Sequence, residues 1–318
     1  MTQISVQAPC TSFSSPDGSD ILVVQPNLNA TFSLTGTHSR IVPAGWTYPR
    51  HDHPYFELIL EDEGEQHTRM TGRTLVQQTG DILLVCPFDA HSSNAPSGAR
   101  FYCVHFDVDE LDLRRMLCRA GTRLIDGKTH LGTQVRDALQ ILRTIASPEI
   151  ATPETLLVYR LRSGAALFEV LARLAENFLQ EDGVLPALSQ IALQTASRLA
   201  ELIERETEEG ESNVCIESAI RRLGYHPGYG NMLFRQVYGM SARQYRSLVK
   251  LKRAKTLLLD NELSVQNIAE RMGYSDTAHF SRQFKRWTGM SPIAYRSNTG
   301  ISGQVEAGVP DDFILPAA

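Results

Sequence analysis

The segment from Ala219 to Arg246, AIRRLGYHPGYGNMLFRQVYGMSARQYR, returns as Ile268 to Arg296, IAERMGYSDTAHFSRQFKRWTGMSPIAYR. Gly224-Tyr225 repeats as Gly273-Tyr274, Phe234 as Phe284, Gly239-Met240-Ser241 as Gly289-Met290-Ser291, and Tyr245-Arg246 as Tyr295-Arg296. A period of about 50 residues means two copies of one supersecondary unit. Each copy reads as a short helix, a glycine-containing turn, a second helix and a Gly-Met-Ser stop, the helix-turn-helix layout.

In the second copy Ser264 caps the first helix, Gly273 supplies the positive φ of the turn, and Ser275 is expected to cap the next helix. Phe280, Phe284 and Trp287 then form a core stripe. The opposite face carries Ala278, His279, Arg282, Lys285 and Arg286, side chains suited to a major groove, where arginine pairs with guanine and alanine meets a thymine methyl. In the first copy the position of Phe280 is Gly230 and that of Arg282 is Met232, leaving Tyr229, Arg235 and Gln236 as contacts. Gly228 and Gly230 would each cost about 1 kcal/mol in a helix interior, so the first reader is expected to be the looser one. Between the copies Tyr245, Leu248, Leu251, Ala254 and Leu258 make a core stripe, with Lys250, Lys252, Arg253 and Lys255 left for phosphates. That helix is long enough to set the readers about one DNA turn apart.

Charge separates along the chain in the same way. Residues 214–297 hold 14 Lys+Arg against 5 Asp+Glu, a local +9 inside a net charge of −5. An acidic part joined to a basic one marks the basic one as the part that touches nucleic acid.

Before about Val108 the pattern is strand-like. DILVV, RIVPAGW, FELILE, RTLVQ, GDILLVCP and RFYCVHFDV are separated by Gly, Pro and Asn, which points to an antiparallel barrel or sandwich. Beyond it the period turns helical: Leu111–Leu117, then THLGTQVRDALQILRTIA, then a segment opening on Thr152 as N-cap with Pro153 first in the helix. In that last segment Leu157, Leu161, Gly164, Phe168, Leu171, Ala175 and Phe178 recur as a short heptad seam. The seam serves either a homodimer through residues 153–180 or packing on the chain's own β domain, and Ser163-Gly164 is a place for a kink. Leu188–Glu209 forms another helix, whose acidic end ERETEEGES reads as an exposed linker. The five cysteines, Cys10, Cys86, Cys103, Cys118 and Cys215, are scattered and odd in number, so neither a disulfide framework nor a zinc ribbon is expected.

The stretch NIAERMGYSDTAHFSRQFKRWTGMSPIAYR resembles the signature of the AraC/XylS family of bacterial transcription regulators, over about 80 residues. The resemblance implies a two-part DNA reader contacting successive major grooves, joined to an N-terminal cupin-like effector domain that can dimerise. Gly45, His51, His53, Glu57 and Gly64 match the first cupin pattern, and Gly80, Pro87, His91 and Asn94 resemble most of the second. In cupin enzymes such histidines and the glutamate converge on a metal, and three imidazoles with a carboxylate would suit Fe, Mn, Ni or Zn. Effector domains of this family often keep the pattern as a metal-free pocket.

The expected fold is α+β: a cupin-like β domain over 1–108, a helical segment for dimerisation and linkage over 109–210, a tandem helix-turn-helix domain over 211–297 and a flexible acidic tail over 298–318. The expected function is sequence-specific, effector-controlled DNA binding without catalysis. The effector pocket is His51, His53, Glu57 and His91, no cofactor is required, and the same four residues are the metal candidates in the alternative of a cupin metalloenzyme or metal sensor. The partners are double-stranded DNA, a small molecule and, for an activator, RNA polymerase. The location is cytoplasmic, away from membranes, since no leader and no run of about 18 apolar residues is read.

Overall fold

A computed structural model describes residues 13–14, 20–21, 32–145, 152–210 and 215–299. The expectations for Cys10 and for the tail from residue 300 fall outside them. Residues 1–31 are a unit of their own, in which strand β1 (Phe13–Ser14) pairs antiparallel with β2 (Asp20–Ile21), Phe13 opposite Ile21. The unit from Phe32 onward holds everything else.

That unit begins with eight strands: β3 (Phe32–Val42), β4 (Trp46–His51), β5 (Phe56–Met70), β6 (Arg73–Gln78), β7 (Ile82–Val85), β8 (His91–Ala95), β9 (Ala99–Val108) and, after helix α1 (Leu111–Ala120), β10 (Arg123–Ile125). RIVPAGW is not one strand, because Pro43 and Gly45, with φ 78°, turn the chain between β3 and β4. The first half of β5 pairs with β9 and β7, and its second half with β6 and β8, all antiparallel. The two sheets therefore share β5, which shifts register between Glu61 and Glu63. Gly64 makes that crossing feasible: at φ 93°, a Cβ on it would run into Gly98 O and stand 3.1 Å from Ala99 Cα.

Alternation along β5 decides what faces where. Phe56, Leu58 and Leu60 face outward into a core with α1, α2 (His130–Thr144) and α3 (Pro153–Asp182), through residues such as Leu117, Leu139, Leu167 and Phe178. Ile59 faces inward with Leu83, Val85, Phe101 and Cys103, between the two sheets. Glu57 and Glu61 lie on that inner side by the same alternation. Thr152 caps α3 in a capping box. Of its apolar seam, Leu171, Ala175 and Phe178 pack on the chain's own β domain, whereas Leu157 and Leu161 are exposed. Gly164 gives room to Phe32, whose ring would stand 3.2 Å from a Cβ there.

Helix α4 (Gln190–Glu208) runs into the acidic end read as a linker, where Glu204, Arg205, Glu208 and Glu209 are exposed. Its Ala192, Ala196, Leu199 and Ile203 share a core with Ile216, Ile220, Leu233, Phe234 and Val237, while Glu206 and Thr207 are buried and Glu206 pairs with Arg222. Residues 211–214 of the expected linker are outside the described set. Then follow α5 (Ile216–Arg222), α6 (Pro227–Tyr238), α7 (Ala242–Leu258), α8 (Val265–Arg271), α9 (Thr277–Thr288) and α10 (Pro292–Thr299). The described cysteines are all free thiols. No described helix is long and apolar enough to cross a membrane.

Candidate DNA-reading helices and an intrabarrel histidine cluster

The two repeats fold alike. α5 and α6, and α8 and α9, are the two helix pairs, and both second helices end on a left-handed glycine, Gly239 at φ 71° and Gly289 at φ 77°. Gly273, at φ 73°, makes the expected turn. The cap of α9 is Asp276 rather than Ser275: its carboxylate accepts from Ala278 N at 2.9 Å and His279 N at 3.2 Å. The second copy carries one residue more than the first between the turn and this helix, so Asp276 is the counterpart of His226, the cap of α6.

Phe280, Phe284 and Trp287 are buried as expected, and Ala278, His279, Arg282, Lys285 and Arg286 are exposed together on the other face of α9. On α6, Tyr229, Met232, Arg235 and Gln236 are exposed. Gly230 is not a weakness of this helix. A Cβ on it would overlap Ile220 Cγ2, so the large residue has moved to α5, where the second copy has Ala269 against Phe280. Gly228 lies in the first turn of α6, outside its interior.

The basic face of α7 departs from expectation. Lys252 pairs with Asp109 and, at 3.4 Å, with Asp107, both at the end of β9. Lys250 stands over the Tyr274 ring at 5.2 Å, and Arg253 Nε is buried without a hydrogen-bond partner among the described residues. Lys255 lies over Tyr55 and Tyr295, and burial draws its pKa down to about 8. Lys252 and Lys255 thus meet the β domain, although Lys252 stays 44% exposed, while Lys250 meets Tyr274 of the second repeat. Arg286, in the reading set, is held by Asp52 at 2.9 and 3.1 Å.

His51, His53, Glu57 and His91 do converge. Glu57 is buried on β5; its Oε2 stands 3.1 Å from His53 Nε2 and 3.5 Å from His91 Nε2. Its Oε1 is 3.2 Å from Nε2 of His105, a residue missed in the sequence. His105 sits opposite Glu57 in the β5–β9 register, and its ring stacks 5.9 Å from His38 on β3. Alternation in RFYCVHFDV, with Phe101, Cys103 and His105 on one face, is the signal that could have found it.

Burial draws His38 and His51 down to about 4 and lowers His53. Burial works against the charge of Glu57 as well, yet the imidazoles around it hold it well below the usual carboxylate range. In His91 burial is outweighed by the bond to Glu57 and its charge, which raise the pKa.

Nδ1 of His51, His53 and His91 stands 3.1, 2.9 and 2.8 Å from the carbonyls of Pro49, Tyr55 and Asp89. A neutral imidazole that donates from Nδ1 presents a lone pair at Nε2, the arrangement that orients histidines toward a metal. The ligand atoms of His51, His53 and His91 lie within 4.8 Å of one another, as do those of His53, Glu57 and His105. The Nε2 atoms of His53, His91 and His105 face Glu57; deprotonated there, the same imidazoles and carboxylate make a donor set that fits a first-row transition metal. The four residues read from the sequence are thus split between two overlapping groups, with His105 added.

Comparison with known proteins agrees with both halves. The profile of a helix-turn-helix domain matches residues 220–298, and that of the AraC-like ligand binding domain matches residues 40–120. The chain is 24% identical over 265 residues to the uncharacterized HTH-type transcriptional regulator YisR of Bacillus subtilis, covering 79% of this chain and 89% of YisR. It is 27% identical over 125 residues to the regulator YtdP of the same organism, 38% of this chain but only 16% of YtdP. In fold it is similar to the crystal structure of an apo ToxT variant from Vibrio cholerae, at TM-score 0.50 and 10% identity, covering 85% of this chain and 98% of that one. With the two profiles together spanning half of the chain, one on each side of α3, the protein belongs to the AraC/XylS family of transcriptional regulators.

Proposed function

We propose that this AraC-type regulator reads its DNA site with α6 and α9 and that the intrabarrel histidine cluster is its effector site. The observation that carries the reading is the twofold exposure of groove-suited side chains on equivalent helices: polar Tyr229, Arg235 and Gln236 on α6, and polar His279, Arg282 and Lys285 beside the methyl of Ala278 on α9. N-terminal residues of such helices meet base edges, and the flanking cations fix register on the phosphates. Footprinting of the full chain on a retained DNA fragment tests it. Two protected segments about one helical turn apart are expected; a single protected segment, or none, would contradict it.

The effector is a small polar molecule or a metal ion held by His51, His53, Glu57 and His91, with His105 alongside. The metal reading is favoured by the three Nδ1-to-carbonyl anchors. A bound metal there would supply a charged centre that draws the imidazoles together. Binding, not turnover, is the use of this pocket: a ligand that prefers one arrangement of the two halves shifts DNA affinity without chemistry. The protein acts in the cytoplasm. The exposed Leu157, Val158 and Leu161 of α3 are the surface for a homodimer, and RNA polymerase is a partner if the regulator activates.

A further inference from the structure

The end of β4 and the loop leading to β5 carry His51 and His53 of the cluster and also reach the second reader. Between His51 and His53, Asp52 holds Arg286 of α9 with both carboxylate oxygens. Three residues on, the Tyr55 hydroxyl donates to the carbonyl of Trp287, the next residue of α9. Tyr55 is 7% exposed and belongs to the core of the second reader, with Phe284 and Trp287 around it. Its ring stacks on His53 at 5.2 Å, and its own carbonyl anchors His53 Nδ1 at 2.9 Å. The first reader is held at the equivalent turn, where Arg115 donates to the carbonyl of Gln236 at 3.1 Å.

We propose that Asp52 and Tyr55 form a latch that keeps the last turn of α9 on the β domain and withholds Arg286 from the DNA backbone. The inference rests on α9 being a DNA-reading helix. Ala278, His279 and Arg282 at the start of α9 stay clear of this loop in every described contact, so the latch leaves the base-reading end open and removes a phosphate contact from the other end. Arg286 is 62% exposed even while paired, so a phosphate can compete for it. Asp52 also sets a negative charge where a phosphate would approach. Because His51 and His53 flank Asp52, whatever fills the cluster bears directly on the latch.

The test uses the full chain and duplex DNA, with affinity measured across a salt series for wild type, Asp52→Asn, Tyr55→Phe, Arg286→Gln and the Asp52→Asn/Arg286→Gln pair. Each phosphate newly contacted adds about 0.9 to the magnitude of the slope of log K against log salt. Asp52→Asn and Tyr55→Phe are each expected to bind more tightly than wild type and to steepen the slope by about one contact. Arg286→Gln is expected to cancel the gain in the Asp52→Asn background.

Unchanged or weaker binding by Asp52→Asn overturns the latch. A gain in Asp52→Asn that survives Arg286→Gln, or is absent in Tyr55→Phe, reduces Asp52 to a repelling charge and overturns it equally. Tyr55→Phe keeps the buried ring, so loss of folding does not obscure the result. The slope is readable on DNA of any sequence, so absence of a preferred site would strike the regulator reading while the slopes still decide for or against the latch.

Discussion

Ile220 fills the space that a side chain on Gly230 would need. A Cβ built on Gly230 overlaps Ile220 Cγ2 and lies 3.3 Å from both Ile220 Cβ and Cγ1. In the second repeat the sizes are exchanged, with Ala269 and Phe280 both in the core. Gly230→Ala is therefore expected to destabilise the protein by about 1–3 kcal/mol, despite the better helix propensity of alanine. Adding Ile220→Ala should return most of that loss. Chemical denaturation of the three proteins checks it, and a Gly230→Ala variant as stable as wild type would remove the exchange.

The positions of Arg282 and Lys252 predict opposite effects on DNA. Arg282 is exposed on α9 and, among the described residues, has a long contact of 3.8 Å to Asp276, whereas Lys252 is tied to Asp107 and Asp109. Arg282→Ala should weaken binding to the preferred site by about 1–3 kcal/mol and relax its sequence preference. Lys252→Met should leave the salt slope as it is. Titration of both variants against preferred and scrambled duplexes separates the two.

Glu61 gives the stability a pH dependence. It is fully buried on the inner side of the barrel, neither carboxylate oxygen has a hydrogen-bond partner among the described residues, and burial, with Asp62 and Asp81 nearby, raises its pKa to about 8. Between its unfolded value near 4.5 and 8 the folded chain holds a proton that the unfolded chain has lost. Its contribution to stability therefore falls as pH rises through that window, by up to about 1.4 kcal/mol per pH unit. Glu61→Gln should gain on wild type steadily from pH 4.5 to 8. A stability difference flat in pH would show the carboxyl to be ionised in the fold.

The histidine cluster predicts metal uptake with defined ligands. Full-length protein stripped with chelator should take up one equivalent of Co2+, Ni2+ or Zn2+, with Co2+ giving a visible spectrum. His91→Ala should lower affinity by more than the ~10–100-fold that loss of an outer-shell partner costs. No uptake by the stripped protein would leave the cluster as a pocket for an organic effector.

The tandem reader was legible because a repeat preserves turn glycines, caps and core stripes at fixed spacing, all of them local signals. The cap at Asp276 was missed through a single extra residue in the second copy. β5, β6, β7 and β9 were legible from alternation and apolar runs, but β4, β8, β10 and most of β3 were not: HSSNA is polar and RLI is short. His105 lies on the inward face that alternation in RFYCVHFDV marks, but that it meets Glu57, and that His38 stacks on it, follows from strand register, which spacing within one segment does not encode. The lysines of α7 escaped for another reason. A basic helix face suits phosphate and carboxylate alike, and only the fold brings Asp107, Asp109 and Tyr55 against it.

The two readers are expected to make this chain bind particular DNA sequences. The most direct test is to ask which fragments of the source genome the purified full-length protein retains, at two salt concentrations and with or without chelator. Recurrent fragments sharing a site that spans two neighbouring major grooves and persists at the higher salt are expected. Uniform retention that fades with salt would mean phosphate contacts alone, and would contradict sequence-specific reading.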